Sequence, residues 1–525
     1  MLFGGQPARV EAGDRAGELH DVRLRQAEAV EAQPAGQLAR AEALGVGAVP
    51  ALGVEAGRVH RLPERIAGHP AIECDRELED QAIETAASHA SRWRARATRD
   101  VFRLVALLAL ACAGPGARTP VPSDRLAVLA NRVEVARELR FRGPVAAESV
   151  TPEGVPALLE AELDRTTPPG QLLREEALAK ALGLLPPGAD LRAILLRWQS
   201  QAVAGFYSPA GQRLFVVEGA GAAGGNEEGG VLVHELAHAL QDQQTRLLEA
   251  RIGIQSNDDL QFALGAFLEG DALWTELRDE AATSGFPQST GAEFASRFAV
   301  DAPEGADVPR ILRESFLGQY PLGYGLASEL VERGGVAALT AALADPPLSS
   351  EELMHRERYL VPSARRPLAL FPEPADAFAP ESGCEPVASS SYGELGVGVW
   401  LREGGVPDAD AARAADGWDG DRAWRLDCAR GAVVAWLIQL DTEHDARELE
   451  AAALRTGWTA RAGLAGPLGI ERSGLRVLLY AGIEPAGREA LLVRVQPVRY
   501  AGMSALLRNE PEILERAERQ RSAAR

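Results

Sequence analysis

The chain has 525 residues, 46% hydrophobic and 25% charged, with 75 Asp and Glu against 55 Lys and Arg for a net charge of −20. Those proportions exclude collagen-like, mucin-like and wholly disordered chains. The acidic balance disfavours any surface that gathers phosphate backbones, so nucleic acid is not an expected partner.

Residues 1–100 hold two aromatics, Phe3 and Trp93, against 26 in the remainder, too few to build a core. We read them as a non-native or disordered N-terminal extension. Lys180 is the only lysine, the mark of a GC-rich gene, in which over-long reading frames are common. Arg92, Arg94, Arg96, Arg99 and Arg103 then precede the apolar run Leu104–Ala111, Cys112 and a small-residue stretch, which is the order of a secretory signal. Leu108-Ala109-Leu110-Ala111-Cys112 resembles a bacterial lipoprotein signal, with Ala109 where leucine is usual. The resemblance implies a lipid anchor at Cys112 and an extracytoplasmic place, periplasm or cell envelope. The other reading is a buried helix segment. The run is too short for the roughly 20 residues of a membrane span. Residues 101–122 are thus expected to be signal and tether.

The folded body starts near Asp124. Thr151 and Pro152 open a helix, and Leu172–Leu182 forms another that Gly183 stops. Asp190 caps a helix to about Gln201. Val203–Tyr207 and Arg213–Val217 read as a hairpin around Ser208-Pro209-Ala210-Gly211. Gly219–Gly225 is a loop, and Glu227 opens a helix through Gln244. A second long helix begins after Ser256 or Asn257, with Leu260, Ala263, Leu264, Phe267 and Leu268 at helical spacing. Pro372–Pro380 reads as a linker. Beyond it, the apolar stretches Val433–Leu440, Val477–Tyr480 and Leu491–Val495 and a helix near Glu443–Arg455 read as a small α+β module. The domains expected are 123–371 and 381–525.

The strongest signal is His234-Glu235-Leu236-Ala237-His238, an HExxH pattern inside a predicted helix. Residues four apart share a helical face, so both imidazoles can reach one zinc ion while Glu235 projects toward a bound water. Outside residues 1–100 only His234, His238, His355 and His444 remain, and two of them make this motif. The other reading is a pair of structural or relic histidines. Zinc catalysis needs a third protein ligand and an open position. Gln241 and Gln244 stand where a metzincin needs glycine and histidine. Glu269, in Phe267-Leu268-Glu269-Gly270-Asp271-Ala272, is the best candidate, because a carboxylate among apolar neighbours needs a cation. Asp258, Asp259, Asp271 and Glu276 are the other acids, and Glu276, on the face of Glu269, can orient a histidine ligand.

These residues resemble the gluzincin group of HExxH zinc metallopeptidases, over roughly residues 200–360. The wording His-Glu-Leu-Ala-His-Ala-Leu-Gln-Asp-Gln, followed by Glu-Gly-Asp-Ala, is similar to uncharacterised bacterial secreted or lipoprotein members. The interval from His238 to Glu269 exceeds that of thermolysin-like enzymes, and Leu273 replaces their downstream aspartate. The resemblance implies an α+β chain: a mostly helical zincin-like catalytic domain with a small sheet, then a smaller α+β domain. It implies one zinc per chain on His234, His238 and Glu269, and peptide or protein as substrate. Glu235 would activate zinc-bound water to hydrolyse peptide bonds. His355, Tyr320, Tyr324 and Tyr359 are candidates to hydrogen-bond the oxyanion, His355 the first choice among them.

A noncatalytic envelope binding or scaffold lipoprotein on a peptidase-like fold is the alternative. Hydrolysis of a non-peptide amide is a third reading. The strand Arg213–Val217 is either a sheet edge for extended substrate or an interior strand. Asp416–Asp421 reads as a turn rather than a calcium loop. His444 reads as solvated near a helix start. Cys384 and Cys428 are either a disulfide, which suits export, or two free thiols.

Overall fold

The computed structural model describes residues 119–523, apart from 122, 203–204, 219–226, 285–307, 366, 373–383, 459–463 and 467. The N-terminal extension, the signal-like segment with Cys112, the glycine loop after Val217 and most of the proline-rich linker therefore lie outside the described residues. The described residues all belong to one compact unit, Glu77–Arg525, of mixed α+β architecture.

The first half comprises β1 (Thr119–Pro120), α1 (Ser123–Arg137), β2 (Ala146–Val150), α2 (Val155–Thr166), α3 (Gln171–Leu182), α4 (Leu191–Ala202), β3 (Gly205–Ser208) and β4 (Arg213–Val217). Three helices follow, α5 (Glu227–Gln244), α6 (Leu247–Gly253) and α7 (Asp258–Ser284). Strand order is β1-β2-β4-β3, with β2 and β4 parallel and the other pairs antiparallel. Arg213–Val217 is thus an interior strand, and β3 is the edge. Thr119–Pro120, at the end of the expected tether, pairs with β2.

After α7 come α8 (Arg310–Leu317), α9 (Gln319–Ala342), α10 (Ser350–Met354), α11 (Arg356–Leu360) and β5 (Leu368–Leu370). The remainder is β6 (Glu385–Ser390), α12 (Gly393–Glu403), α13 (Asp408–Ala415), β7 (Trp418–Cys428), β8 (Gly431–Leu440), α14 (Glu443–Ala453), β9 (Leu468–Ser473), β10 (Arg476–Ala481), α15 (Pro485–Glu489), β11 (Val498–Tyr500), α16 (Met503–Asn509) and α17 (Glu512–Ala523). Strands β6-β7-β8-β10-β9 form an antiparallel sheet, and β11 pairs with β5.

Local chemistry sets the helices that matter. Asn257 accepts the N–H of Leu260 (2.9 Å) and starts α7, with Asp258 and Asp259 in the positive first turn. Helix α7 is apolar on nearly every side and accordingly buried along most of its length. It packs on α5 and α9. The α9 contact is close because Gly270 meets Gly323: a Cβ on Gly323 would lie 3.0 Å from the Gly270 Cα and 2.7 Å from the Ala266 carbonyl carbon.

The largest apolar cluster takes Phe267 and Leu268 from α7, Leu326 from α9, Trp400 from α12, Trp436 from β8 and Ile513 from α17. Trp400 Nε1–H donates to the Leu182 carbonyl at 3.0 Å. Two C-terminal segments differ from their reading. Leu491–Val495, grouped with the apolar stretches, lies largely in a π-helical turn, Ala490–Arg494. In Asp416–Asp421 a turn at Gly417 leads into strand from Trp418, with a bulge between Trp418 and Gly420. Asp421 is fully buried and accepts from the Tyr392 and Gly393 backbones and the Trp418 and Trp436 indoles. Three of these donors come from distant elements, and they turn a sequence of turn-formers into a strand. Cys384 and Cys428 form a disulfide.

Candidate metal centre

Helix α5 carries His234, Glu235 and His238, and α7 carries Glu269 and Glu276. The imidazoles lie one turn apart, with ring centroids at 4.9 Å. Their Nε2 atoms are 3.2 Å from each other, and Oε2 of Glu269 is 3.3 Å from His234 Nε2 and 3.6 Å from His238 Nε2. A tetrahedral ion with bonds of about 2.0–2.1 Å holds its ligand atoms roughly 3.3–3.4 Å apart. The observed triangle matches that spacing, and no fourth His, Cys, Asp or Glu of the described residues joins it.

The orientation of the rings supports the same chemistry. His234 Nδ1 faces Oε2 of Glu276 at 3.1 Å, and His238 Nδ1 faces Oε1 of Gln241 at 2.9 Å. With both Nδ1–H groups donating outward, both Nε2 lone pairs point inward beside a carboxylate oxygen. Three acceptors converging in a buried place are costly unless a cation sits among them. Gln241 is itself fixed, since its Nε2 donates to the Leu268 carbonyl (3.0 Å) and to Asp271 (2.9 Å). Asp271 pairs with buried Arg137 of α1 at 2.7 Å. Gly230, one turn before His234, leaves the space Glu276 uses; a Cβ there would be 3.2 Å from its Oε1.

Titration in the metal-free protein follows from this packing. Burial lowers the His234 pKa, but Glu269 and Glu276 overcome it and raise it to about 10. Burial raises Glu269, but His238 and His234 overcome it and lower it to about 2. Burial pushes Glu235 up to about 7 against the pull of the two histidines and the Tyr207 N–H. Glu235 Oε2 accepts that N–H from β3 at 2.7 Å.

Tyr320, at the start of α9, hydrogen-bonds Glu269. Its burial, then the Glu269 and Glu235 charges, hold the phenol pKa well above its usual value, so it remains a donor.

The structure brings His234, Glu235, His238, Glu269, Glu276 and Tyr320 together. It engages His355 elsewhere: His355 Nε2 is 2.9 Å from Glu394 and 3.7 Å from Asp416. Tyr359 donates to the Asp345 carbonyl at 2.9 Å. His444 is exposed on α14, 3.8 Å from Glu448. Sequence reasoning missed Tyr207 and the Gln241–Asp271–Arg137 chain. The only trace of the latter in sequence is Gln241 on the face of His238, three residues on.

A family model described as "Domain of unknown function (DUF8575)" matches residues 384–490. That stretch carries the five-stranded sheet and α12–α15, and none of the residues of the centre. No curated protein and no solved structure matches the chain.

Proposed function

We propose that this chain is a zinc-dependent metallopeptidase of gluzincin-like design, with a zincin-like catalytic domain that holds one zinc on His234, His238 and Glu269. The observation that carries the reading is the 3.2–3.6 Å triangle of inward-facing donors with a buried acid beside it. Bound there, zinc would supply Lewis acidity for hydrolysis of a peptide bond.

The chain's own residues divide the remaining work. Glu235, held through one oxygen by the Tyr207 N–H and with a pKa near 7, takes a proton from water and passes it to the leaving amine. Tyr320 replaces His355 as the donor to a developing oxyanion, because it is the candidate beside Glu269. Glu276 and Gln241 keep both histidines in the tautomer that binds metal.

One observation favours the alternative, a noncatalytic scaffold with a structural ion. His234, Glu235, His238, Glu269 and Tyr320 are only 1–3% exposed, so a peptide reaches them only after the covering chain moves.

A single experiment separates the readings. The purified protein should contain about one zinc and cut unfolded protein, and Glu235→Gln should keep the zinc while losing about 10²–10⁴-fold in turnover. Zinc with no cleavage in the wild type selects the scaffold; undiminished cleavage by Glu235→Gln defeats the mechanism.

Export with a lipid anchor at Cys112 belongs to the same proposal. The Cys384–Cys428 disulfide supports an oxidising compartment. No helix among the described residues is long and apolar enough to cross a membrane. Mass spectrometry of the mature N-terminus tests the anchor; peptides from residues 1–100 in the native protein would refute it.

A further inference from the structure

One buried cation near the centre has no anion of its own among the described residues. Arg251, near the end of α6, is 7% exposed. Among the described residues its guanidinium makes one hydrogen bond, from Nη2 to Oε1 of Gln319 at 3.1 Å, and Nε is buried without a partner. No carboxylate oxygen of a described residue lies within ion-pair distance, although isolated burial of a guanidinium is costly.

Two helices fix where it sits. A Cβ on Gly265 would lie 2.7 Å from the Arg251 Cζ, so the guanidinium fills the notch this glycine leaves on α7. Gly265 is one turn before Glu269, and Gln319 immediately precedes Tyr320. Arg251 therefore lies about one helical turn, roughly 5.4 Å, along α7 from the third ligand. Burial lowers its pKa, and the negative charge of Glu269 works against that, as its nearness requires.

We propose that Arg251 receives the free C-terminal carboxylate of a peptide substrate, which makes the enzyme a carboxypeptidase. This inference rests on the peptidase reading. The scissile carbonyl carbon and the terminal carboxylate carbon are separated by one N–Cα unit, on the order of 3–4 Å. A carboxylate one residue beyond the reacting bond thus falls within reach of a cation one turn from the ligand cage. Nη1, which bonds to no described residue, offers two N–H donors for charge-assisted bonds. Hydrolysis breaks the last C–N bond. The water oxygen goes to the carbonyl carbon and a proton to the amine, so the products are a shortened peptide and one amino acid.

The test uses the zinc-loaded full chain and two peptides of one sequence, one ending in a free carboxylate and one in an amide. The expected kcat/KM is at least about tenfold higher for the acid, with loss of single C-terminal residues. The acid-to-amide ratio should fall toward one in Arg251→Gln and be partly restored in Arg251→Lys. Calorimetry with Glu235→Gln, which leaves Arg251 intact, should show the acid peptide binding about tenfold tighter than the amide. This measurement decides the matter if Arg251→Gln does not fold. Equal binding of acid and amide, or cleavage at internal bonds of both, overturns the inference and leaves the peptidase reading standing. Cleavage of neither peptide, nor of unfolded protein, by the zinc-loaded wild type removes that reading and the inference with it.

Discussion

Gly323→Ala tests whether the close contact of α7 and α9 is what brings Tyr320 to Glu269. The added Cβ would lie 2.7 Å from the Ala266 carbonyl carbon and overlap the oxygen attached to it. An ordinary carbon contact needs roughly 3.5 Å, so α9 must retreat by at least about 0.8 Å. The obstacle is backbone, which cannot rotate away as a side chain does. Overpacking a core costs typically about 1–3 kcal/mol, and we expect the upper end, about 3 kcal/mol. Tyr320 lies one turn before Gly323 on the same face and moves with it, away from Glu269. The assays are urea unfolding followed by circular dichroism, and turnover at saturating zinc. Turnover should fall more than about tenfold if Tyr320 donates to the transition state. Gly188→Ala is the control: nothing lies within 4 Å of its Cβ position, and its stability should stay within about 0.5 kcal/mol of wild type. A Gly323→Ala protein as stable and as active as that control would refute the packing argument.

Further predictions concern groups away from the cage. Burial pushes Asp259 up to about 7, against its bonds from Ser350 and with help from the Asp421 and Glu394 charges. The folded state then holds a proton that the unfolded state releases near pH 4, so this stability is complete below about pH 4 and lost as pH rises through 7. Urea midpoints at pH 4.5 and 7.5 should differ less in Asp259→Asn than in wild type, and an equal difference would count against it. Opening the Cys384–Cys428 bond, 44 residues apart in sequence, should cost about 4 kcal/mol by chain entropy; two free thiols in the unreduced protein would contradict the pairing. Arg521 of α17 pairs with Asp242 at 2.8 Å, and Asp242 accepts from the Tyr207 hydroxyl at 2.8 Å. Arg521→Ala should therefore destabilise by about 2 kcal/mol and lower turnover through Tyr207 with zinc content unchanged; full turnover would uncouple α17 from Glu235.

The elements legible in the sequence are those set by local chemistry. Helix α5 runs from Glu227 to Gln244 and β4 from Arg213 to Val217, as read, because apolar spacing and turn residues act over a few positions. The capping of α7 by Asn257 and of α4 by Asp190, which accepts the Ala193 N–H at 2.9 Å, is equally local. Where long-range donors decide, the reading fails. Asp421 gathers three of them, from β8 and the start of α12, and with the nearby Trp418 indole they draw a turn-like stretch into a strand. Leu491–Val495 has the composition of a strand, yet Arg476 donates to the Leu492 and Val495 carbonyls, groups that a strand would spend on its neighbours.

The centre divides along the same line. His234, Glu235 and His238 share one helix, so their mutual geometry is a property of 3.6 residues per turn. Glu269 was legible because an acid inside an apolar helical stretch has few places to put its charge. Tyr320 was one of four candidate donors that the sequence could not tell apart, and Arg251 gave no sign at all, since a tyrosine or an arginine in an amphipathic segment is ordinary. Their meaning comes from Gly270, Gly323 and Gly265, where missing side chains let one helix or a guanidinium approach α7 closely enough to share the field of Glu269. Glycine inside a helix costs stability, so its repetition along one helix, at Gly265 and Gly270, marks where other parts of the chain come nearest. Read that way, the two glycines of α7 point to the cation and the phenol.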